Sequence, residues 1–199
     1  MPIRRVTVYA ASSQALAPEY VAAADRLGRT LARAGIAIIY GGGSAGLMGT
    51  LADAALAEGG EIHGVIPQFL MNRERGHEKL TSLEVVPDLR IRKERMLADS
   101  DGVVALPGGC GTLEELFEAM TLKRLGQFFG PILLVNTLDY YSLLLELLKQ
   151  SVRQRFMNQA HLDLWHVVAE PEEVPEALAT VEPWSTRALK FAAVSRQRT

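Results

Sequence analysis

The sequence has little cysteine, no long apolar run and no marked excess of charge of either sign. Its single cysteine, Cys110, excludes an intramolecular disulfide and a zinc site built from several cysteines. No segment approaches the roughly 20 consecutive apolar residues of a membrane-spanning helix. The 21 Lys and Arg residues and 23 Asp and Glu residues give a formal net charge of −2, which argues against nucleic acid or a membrane surface as a partner.

The amino terminus lacks the apolar stretch of a secretory signal peptide, because residues 1–5 lead directly into a strand-like segment. We therefore expect a cytoplasmic protein. A chain of 199 residues, of which 48% are hydrophobic, is suited to one domain with its own core. We place this domain at residues 1–184, because residues 185–199 are mixed and without a pattern, which predicts a loose tail.

Segments that suit strands alternate along the chain with segments whose apolar residues recur at helical spacing. The strand-like segments are apolar throughout, which is typical of strands buried on both faces, and the helices between them would cover those faces. The pattern predicts an α/β fold with a doubly wound, Rossmann-like parallel sheet. The predicted strands are residues 6–10, 36–40, 62–66, 83–86, 102–106, 132–135 and 167–168.

Several helix ends carry recognisable signals. Pro18 suits the first turn of the first helix, and Gly35 suits the left-handed position that ends it. Gly126 is expected to close the helix over residues 112–125 in the same way. Thr112 and Glu115 have the spacing of a capping box at the start of that helix, and Asp139 is expected to cap a later, leucine-rich helix.

Glycine clusters follow two of the predicted strands. The first glycine loop comprises residues 41–46 and the second comprises residues 107–112, and each precedes a predicted helix. Amide groups at such turns lie at the positive end of the helix dipole and attract anions. Because ligands of open parallel sheets bind at the carboxyl ends of the strands, we expect both loops to line one crevice.

Three interpretations of the first glycine loop compete. It contains the GxGxxG pattern of dinucleotide-binding proteins, but the next strand ends without the acidic residue that would bind a ribose. It also contains the GxSxG pattern of serine hydrolases, with Ser44, Asp163 and His166 as a triad, which would leave the second loop without a role. A phosphate cradle uses both loops, although neither ends in the Lys-Ser/Thr pair of a triphosphate-binding loop.

Charged residues flank the predicted crevice. Glu114 and Glu115 follow the second loop, where a carboxylate can accept a proton from water or stabilise an oxocarbenium ion. Arg92 and Lys93 lie on the helix before the fifth strand, and an arginine there can bind a phosphate in a bidentate fork. The purely structural alternatives are a capping role for Glu115 and a solvated face for the basic pair. The polar stretch 67–82 suits a lid, a binding loop or an ordinary exposed loop.

Three segments together resemble the LOG ("Lonely Guy") family of cytokinin-activating phosphoribohydrolases, which are often mislabelled lysine decarboxylases. They are Tyr40 to Gly49, Arg92-Lys93 with Met96, and Pro107 to Glu115, which carries the specific PGGxGTxxE pattern. The resemblance covers roughly residues 4–180.

The resemblance implies hydrolysis of the N-glycosidic bond of an N6-substituted adenosine 5′-monophosphate to the free base and ribose 5-phosphate, with no metal or organic cofactor. It implies catalytic roles for Arg92 and Glu115, and a homodimer or larger assembly. The expected substrate-binding positions, in the two glycine loops and beside them, are Gly42, Gly43, Gly46, Met48, Glu74, Lys93, Gly108, Gly109, Cys110, Gly111, Thr112, Glu114 and Thr121.

The sequence departs from the family at a few positions. Ala10 to Ser13 stands where relatives usually carry Cys-Gly-Ser-Ser, and Leu122 stands where tryptophan is common. Cys110 occupies the variable position of the glycine motif, which disfavours a nucleophilic role. Two alternative functions stay open: a nucleosidase that acts on AMP or another 5′-monophosphate, and a non-catalytic carrier of a nucleotide or of molybdenum cofactor.

Overall fold

The computed structural model describes residues 3–71 and 76–182, together with Trp184 and Ala188. Within these residues, seven parallel strands form one sheet in the order β4-β3-β2-β1-β5-β6-β7. The strands are β1 Arg5–Tyr9, β2 Ala37–Tyr40, β3 Ile62–Pro67, β4 Ser82–Val86, β5 Gly102–Ala105, β6 Ile132–Val135 and β7 His166–Val168. Each predicted strand agrees with an observed strand to within one residue at either end, so the doubly wound sheet is confirmed.

Six α-helices connect or follow the strands in the described part of the chain. They are α1 Pro18–Arg33, α2 Gly46–Ala57, α3 Leu89–Ala98, α4 Cys110–Arg124, α5 Ser142–Arg153 and α6 Val174–Thr180. The chain first builds outward from β1 to β4, then returns to pair β5 with the other side of β1. The strand order therefore reverses between β1 and β5, and a crevice opens at the carboxyl ends of strands at such a point.

Two apolar layers hold the helices to the sheet. On one face, Leu27 of α1, Leu51 of α2 and Leu178 of α6 pack over Val8. On the other face the side chains that reach the sheet come from α3, α4 and α5, and they include Met96, Leu116, Met120 and Leu148. The inner strands are thus covered on both sides, whereas the edge strands β4 and β7 are partly exposed.

The backbone confirms the predicted ends of two helices. Pro18 lies in the first turn of α1, where its missing amide hydrogen leaves no bond unmade. Gly35 follows α1 with φ +68°, and Gly126 follows α4 with φ +69°. Both glycines adopt the left-handed conformation that the sequence predicts after a helix.

Two predicted caps are wrong. Helix α4 begins at Cys110 with Gly109 as its N-cap, so Thr112 lies inside the first turn and forms no capping box with Glu115. The extended backbone of Gly109 starts the helix earlier than the side-chain pattern indicated. Asp139 does not cap α5, because it lies in a separate 3₁₀ turn with φ +57°, and the N-cap of α5 is Tyr141.

Among the described helices, none is both long and apolar enough to cross a membrane. The predicted tail at residues 185–199 lies, apart from Ala188, outside the described residues. The domain limit at residue 184 therefore stays a prediction.

Candidate active site

A cleft of about 290 Å³ opens at the carboxyl ends of β1, β2 and β5, where the strand order reverses. Residues of both glycine loops line it, so the prediction that the loops share one crevice is confirmed. Larger grooves of about 620 and 700 Å³ lie elsewhere, and neither glycine loop lines them. The lining residues of the cleft are Val8, Tyr9, Ala10, Ala11, Ser12, Ser13, Gly41, Met48, Arg92, Gly109, Cys110, Gly111, Thr112 and Glu115.

The second glycine loop brings the start of α4 to the cleft. The first helical hydrogen bond joins the amide of Leu113 to the carbonyl of Gly109 at 3.0 Å. The amides of Cys110, Gly111 and Thr112 precede that bond, and no hydrogen bond between described residues uses them. Three amides at the positive end of a 15-residue helix therefore border the cleft, an arrangement that favours an anion.

The first glycine loop acts differently, because amides at the start of α2 are already bonded. The amides of Leu47 and Met48 both donate to the carbonyl of Ala11, at 2.9 and 3.3 Å. Gly46, with φ +61°, allows this contact, since a Cβ there would lie 2.4 Å from the carbonyl oxygen of Ser13. The first loop thus holds the loop after β1 against the cleft, and the second loop offers the available amides.

Arg92 is fixed at the edge of the cleft by backbone carbonyls. The side chain of Asp88 caps α3 through the amide of Ile91 at 2.8 Å, which places Arg92 in the first turn. The Nε of Arg92 donates to the carbonyl of Val65 at 3.1 Å, and Nη2 donates to that of Gly41 at 2.8 Å. Only 7% of Arg92 is exposed, so this cation is held largely out of water with its orientation set by the ends of β2 and β3.

Glu115 enters the same cleft from α4. It follows Gly111 by four residues and Thr112 by three, so all three lie on one face of the helix and line the cleft together. Tyr9, at the end of β1, lines the cleft together with Glu115. Burial raises the pKa of Tyr9 well above its ordinary value, and the charges of Glu115, Glu118 and Glu114 raise it further.

Lys93 and Glu114 lie outside the cleft and pair with each other. The Nζ of Lys93 also lies 2.9 Å from Glu118, so one lysine of α3 holds two carboxylates of α4. Burial by itself would lower the pKa of Lys93, but its hydrogen bonds to Glu114 and Glu118 outweigh burial and raise it. Thr121 is exposed further along α4, beside a separate groove. Substrate contacts for these residues stay predictions.

Of the other predicted residues, some line the cleft and some do not. Met48 of α2 lines the cleft, whereas the carbonyl of Gly42 in the first loop accepts a hydrogen bond from the amide of His77 at 3.0 Å. Gly43 forms an antiparallel bridge with Gly76. The remaining positions are Gly46 and Gly108, which support the two loops without lining the cleft, and Glu74, which lies outside the described residues.

Sequence reasoning missed the loop after β1 and Tyr9 as parts of the site. Ala10 to Ser13 and Tyr9 all line the cleft, whereas the sequence singled out Ala10 to Ser13 only as a departure from the family pattern. The available signal was topological. In a doubly wound sheet the first strand borders the reversal of strand order, so the loop after it faces the ligand crevice.

The serine-hydrolase interpretation is wrong. Ser44 follows β2, and His166 begins β7, four positions away in the sheet. Strands lie about 4.8 Å apart, so about 19 Å of sheet separates the two residues, far beyond hydrogen-bond distance. Within the described part of the chain, no group of three or more His, Cys, Asp or Glu side chains could hold a metal ion.

Comparisons with known proteins relate this chain to one protein family. Residues 48–178 match the family described as "Possible lysine decarboxylase". A probable cytokinin riboside 5′-monophosphate phosphoribohydrolase of Oryza sativa subsp. japonica is 38% identical over 180 residues, which is 90% of this chain and 72% of that protein. A cytokinin riboside 5′-monophosphate phosphoribohydrolase of Rhodococcoides fascians is 40% identical over 158 residues, which is 79% of this chain and 80% of that protein.

A solved structure supports the fold alone. The molybdenum cofactor carrier protein of Chlamydomonas reinhardtii superposes with a TM-score of 0.69 at 21% identity, covering 90% of this chain and 98% of that one. At this identity the likeness extends to the Rossmann-like architecture and carries no assignment of ligand.

Proposed function

This chain belongs to the LOG family, and on that premise we propose that it hydrolyses the N-glycosidic bond of an N6-substituted adenosine 5′-monophosphate. The products are the free base and ribose 5-phosphate. The observation that carries the proposal is the cleft at the reversal of strand order, where Glu115 and Arg92 lie beside the three amides that begin α4. Relatives that are 38% and 40% identical bear the name of this activity.

The 5′-phosphate binds at the start of α4. The amides of Cys110, Gly111 and Thr112 donate hydrogen bonds to its oxygens, and the helix dipole favours its charge. A nucleoside without this phosphate leaves these donors unpaired, which explains why the substrate is a monophosphate.

The ribose then lies beside Glu115. As the bond between C1′ and the base nitrogen breaks, positive charge develops on the sugar, and an ionised carboxylate stabilises that charge. The same carboxylate accepts a proton from the water whose oxygen bonds to C1′, while the base leaves with the electron pair of the broken bond and takes up a proton to become the free base. Arg92, fixed by Gly41 and Val65, keeps a positive charge at the edge of the cleft and favours the ionised form of the acid.

The decisive experiment is a substrate panel. The purified chain is incubated with AMP, N6-isopentenyl-AMP and the matching nucleosides, and released base is measured by chromatography. We expect base from monophosphates and none from nucleosides. Release from AMP alone would make the protein an AMP nucleosidase, and tight binding without release from any member would make it a carrier.

We also propose that the protein is cytoplasmic and forms a homodimer. Leu143 and Leu147 on α5 are 86% and 60% exposed, which supports an association through this apolar face. Light scattering after size-exclusion chromatography tests the homodimer. A monomeric mass at micromolar concentration would contradict it.

A further inference from the structure

Two adjacent tyrosines hold the carbonyl groups on either side of Pro107 in the second glycine loop. The hydroxyl of Tyr141 donates to the carbonyl oxygen of Leu106 at 2.7 Å, and the hydroxyl of Tyr140 donates to that of Gly108. The two rings meet edge to face with their centroids 5.0 Å apart. One loop segment is therefore fixed at two points immediately before α4 begins.

The hydrogen bond from Tyr140 also constrains the amide of Gly109, the residue that follows Gly108. The carbonyl of Gly108 and the amide of Gly109 belong to one trans peptide group, in which the two bonds point in opposite directions. With its carbonyl held by Tyr140, that peptide group directs the amide of Gly109 away from the tyrosines. This fixed peptide group leads directly into Gly109 and the next three residues, all of which line the cleft.

The backbone before the tyrosines is strained, which indicates that their placement is specified by more than local preference. Leu138 and Asp139 have φ values of +52° and +57°, a left-handed conformation that is unfavourable for residues with a Cβ. Asn136 stabilises the turn, since its Oδ1 accepts the amide of Tyr141 at 2.7 Å. Such strain persists only where surrounding contacts fix the conformation.

We propose that Tyr140 and Tyr141 are positioning residues for the 5′-phosphate: they hold the second glycine loop so that the amides at the start of α4 converge on it. This inference rests on the proposed function and deepens it, because it assigns phosphate affinity to the second loop and to two tyrosines outside the cleft. Burial, with a contribution from Tyr140, raises the pKa of Tyr141 above its ordinary value, so its hydroxyl stays a donor at neutral pH.

The chain offers two matched controls. Tyr40 is also buried and donates to the carbonyl of Gly43 at 3.2 Å, so it holds the first glycine loop as Tyr141 holds the second. Tyr20 contacts Tyr140 edge to face, with the ring centroids 6.1 Å apart. Tyr20→Phe removes the hydroxyl of Tyr20 and leaves this ring contact in place.

The test compares Tyr140→Phe and Tyr141→Phe with Tyr40→Phe and Tyr20→Phe. Calorimetry gives the Kd for ribose 5-phosphate, and base release from N6-isopentenyl-AMP gives kcat and KM. We expect the first two variants each to raise both the Kd and KM about three- to tenfold, the loss of one neutral hydrogen bond, with kcat within about twofold. We expect both controls to keep the Kd within about twofold. Melting curves identify any variant that is unfolded, and the partly exposed Tyr140 decides the case if Tyr141→Phe does not fold.

Three results would overturn the inference. They are an unchanged Kd in Tyr140→Phe, an equal loss in Tyr40→Phe, and a fall in kcat with KM unchanged. Failure of the proposed function looks different, because the wild-type chain would bind ribose 5-phosphate without releasing base, and the Kd comparison would still decide the role of the tyrosines. If the wild-type chain binds no ribose 5-phosphate, both the proposed phosphate site and this inference are wrong.

Discussion

Gly41 keeps a space that Arg92 occupies, and an alanine at this position is expected to disable the cleft through the arginine. A Cβ on residue 41 would lie 2.1 Å from Nη2 of Arg92 and 3.0 Å from the sulfur of Met48. The methionine can move, but the guanidinium cannot keep its 2.8 Å bond to the Gly41 carbonyl. Breaking one hydrogen bond of a buried cation costs about 1.5–3 kcal/mol.

The displacement also moves a charge in the cleft by about 1 Å, a misplacement that lowers rates by about 10²-fold, or about 2.7 kcal/mol. We therefore expect kcat/KM for N6-isopentenyl-AMP to fall about 10²-fold in Gly41→Ala, together with a lower melting temperature. Both follow from the displacement of the Arg92 guanidinium.

A double-mutant cycle shows whether the effect acts through the arginine. Base release is measured for Gly41→Ala, Arg92→Ala and the double variant, with circular dichroism to establish folding. Because Arg92→Ala removes the group that the new methyl displaces, the double variant should be no less active than Arg92→Ala alone. Additive losses, or wild-type activity in Gly41→Ala, would refute the reasoning.

Three further predictions address other parts of the chain. Glu115→Gln keeps size and removes charge, so turnover should fall about 10²-fold or more with folding intact, and near-wild-type base release would contradict its role. Cys110 is the only thiol and lines the cleft, so iodoacetamide should abolish turnover of the wild-type chain and leave Cys110→Ser unaffected; a fully alkylated, active wild-type enzyme would place the substrate elsewhere. Burial lowers the pKa of Lys123 from 10.5 to about 8. Between these two pH values the unfolded chain binds more protons than the folded chain, so the free energy of unfolding should increase with pH. Urea titrations at pH 7.5 and 9.5 should show a smaller gain in Lys123→Met than in the wild type, and equal gains would contradict the assignment.

The two glycine loops look alike in the sequence and differ in the structure for a reason that no local pattern contains. The amides at the start of α2 are bonded to Ala11, which belongs to the loop after β1. That bond exists because β1 and β2 are neighbours in the sheet. At the second loop, the carbonyls of Leu106 and Gly108 accept hydrogen bonds from tyrosines that lie more than thirty residues away, and the three amides that begin α4 border the cleft.

The same distinction explains the two wrong caps. Side-chain spacing placed Thr112 and Asp139 at helix starts, but a helix begins where the backbone first forms a helical hydrogen bond. Extended Gly109 starts α4 early, and the left-handed pair Leu138 and Asp139 delays α5. Neither conformation follows from the side-chain spacing that suggested the caps, so propensity alone could not predict them.

The alternation of apolar strands with amphipathic helices determined the sheet, its parallel sense and the edge at which the cleft opens, because burial on both faces leaves few other solutions. The PGGxGTxxE pattern likewise placed Glu115 beside that edge. Which amides are available, which cations are held by backbone carbonyls and which tyrosines hold a loop were decided by the folded chain alone. Those properties depend on hydrogen bonds between residues far apart in sequence, and such partners become neighbours only when the strands have taken their order.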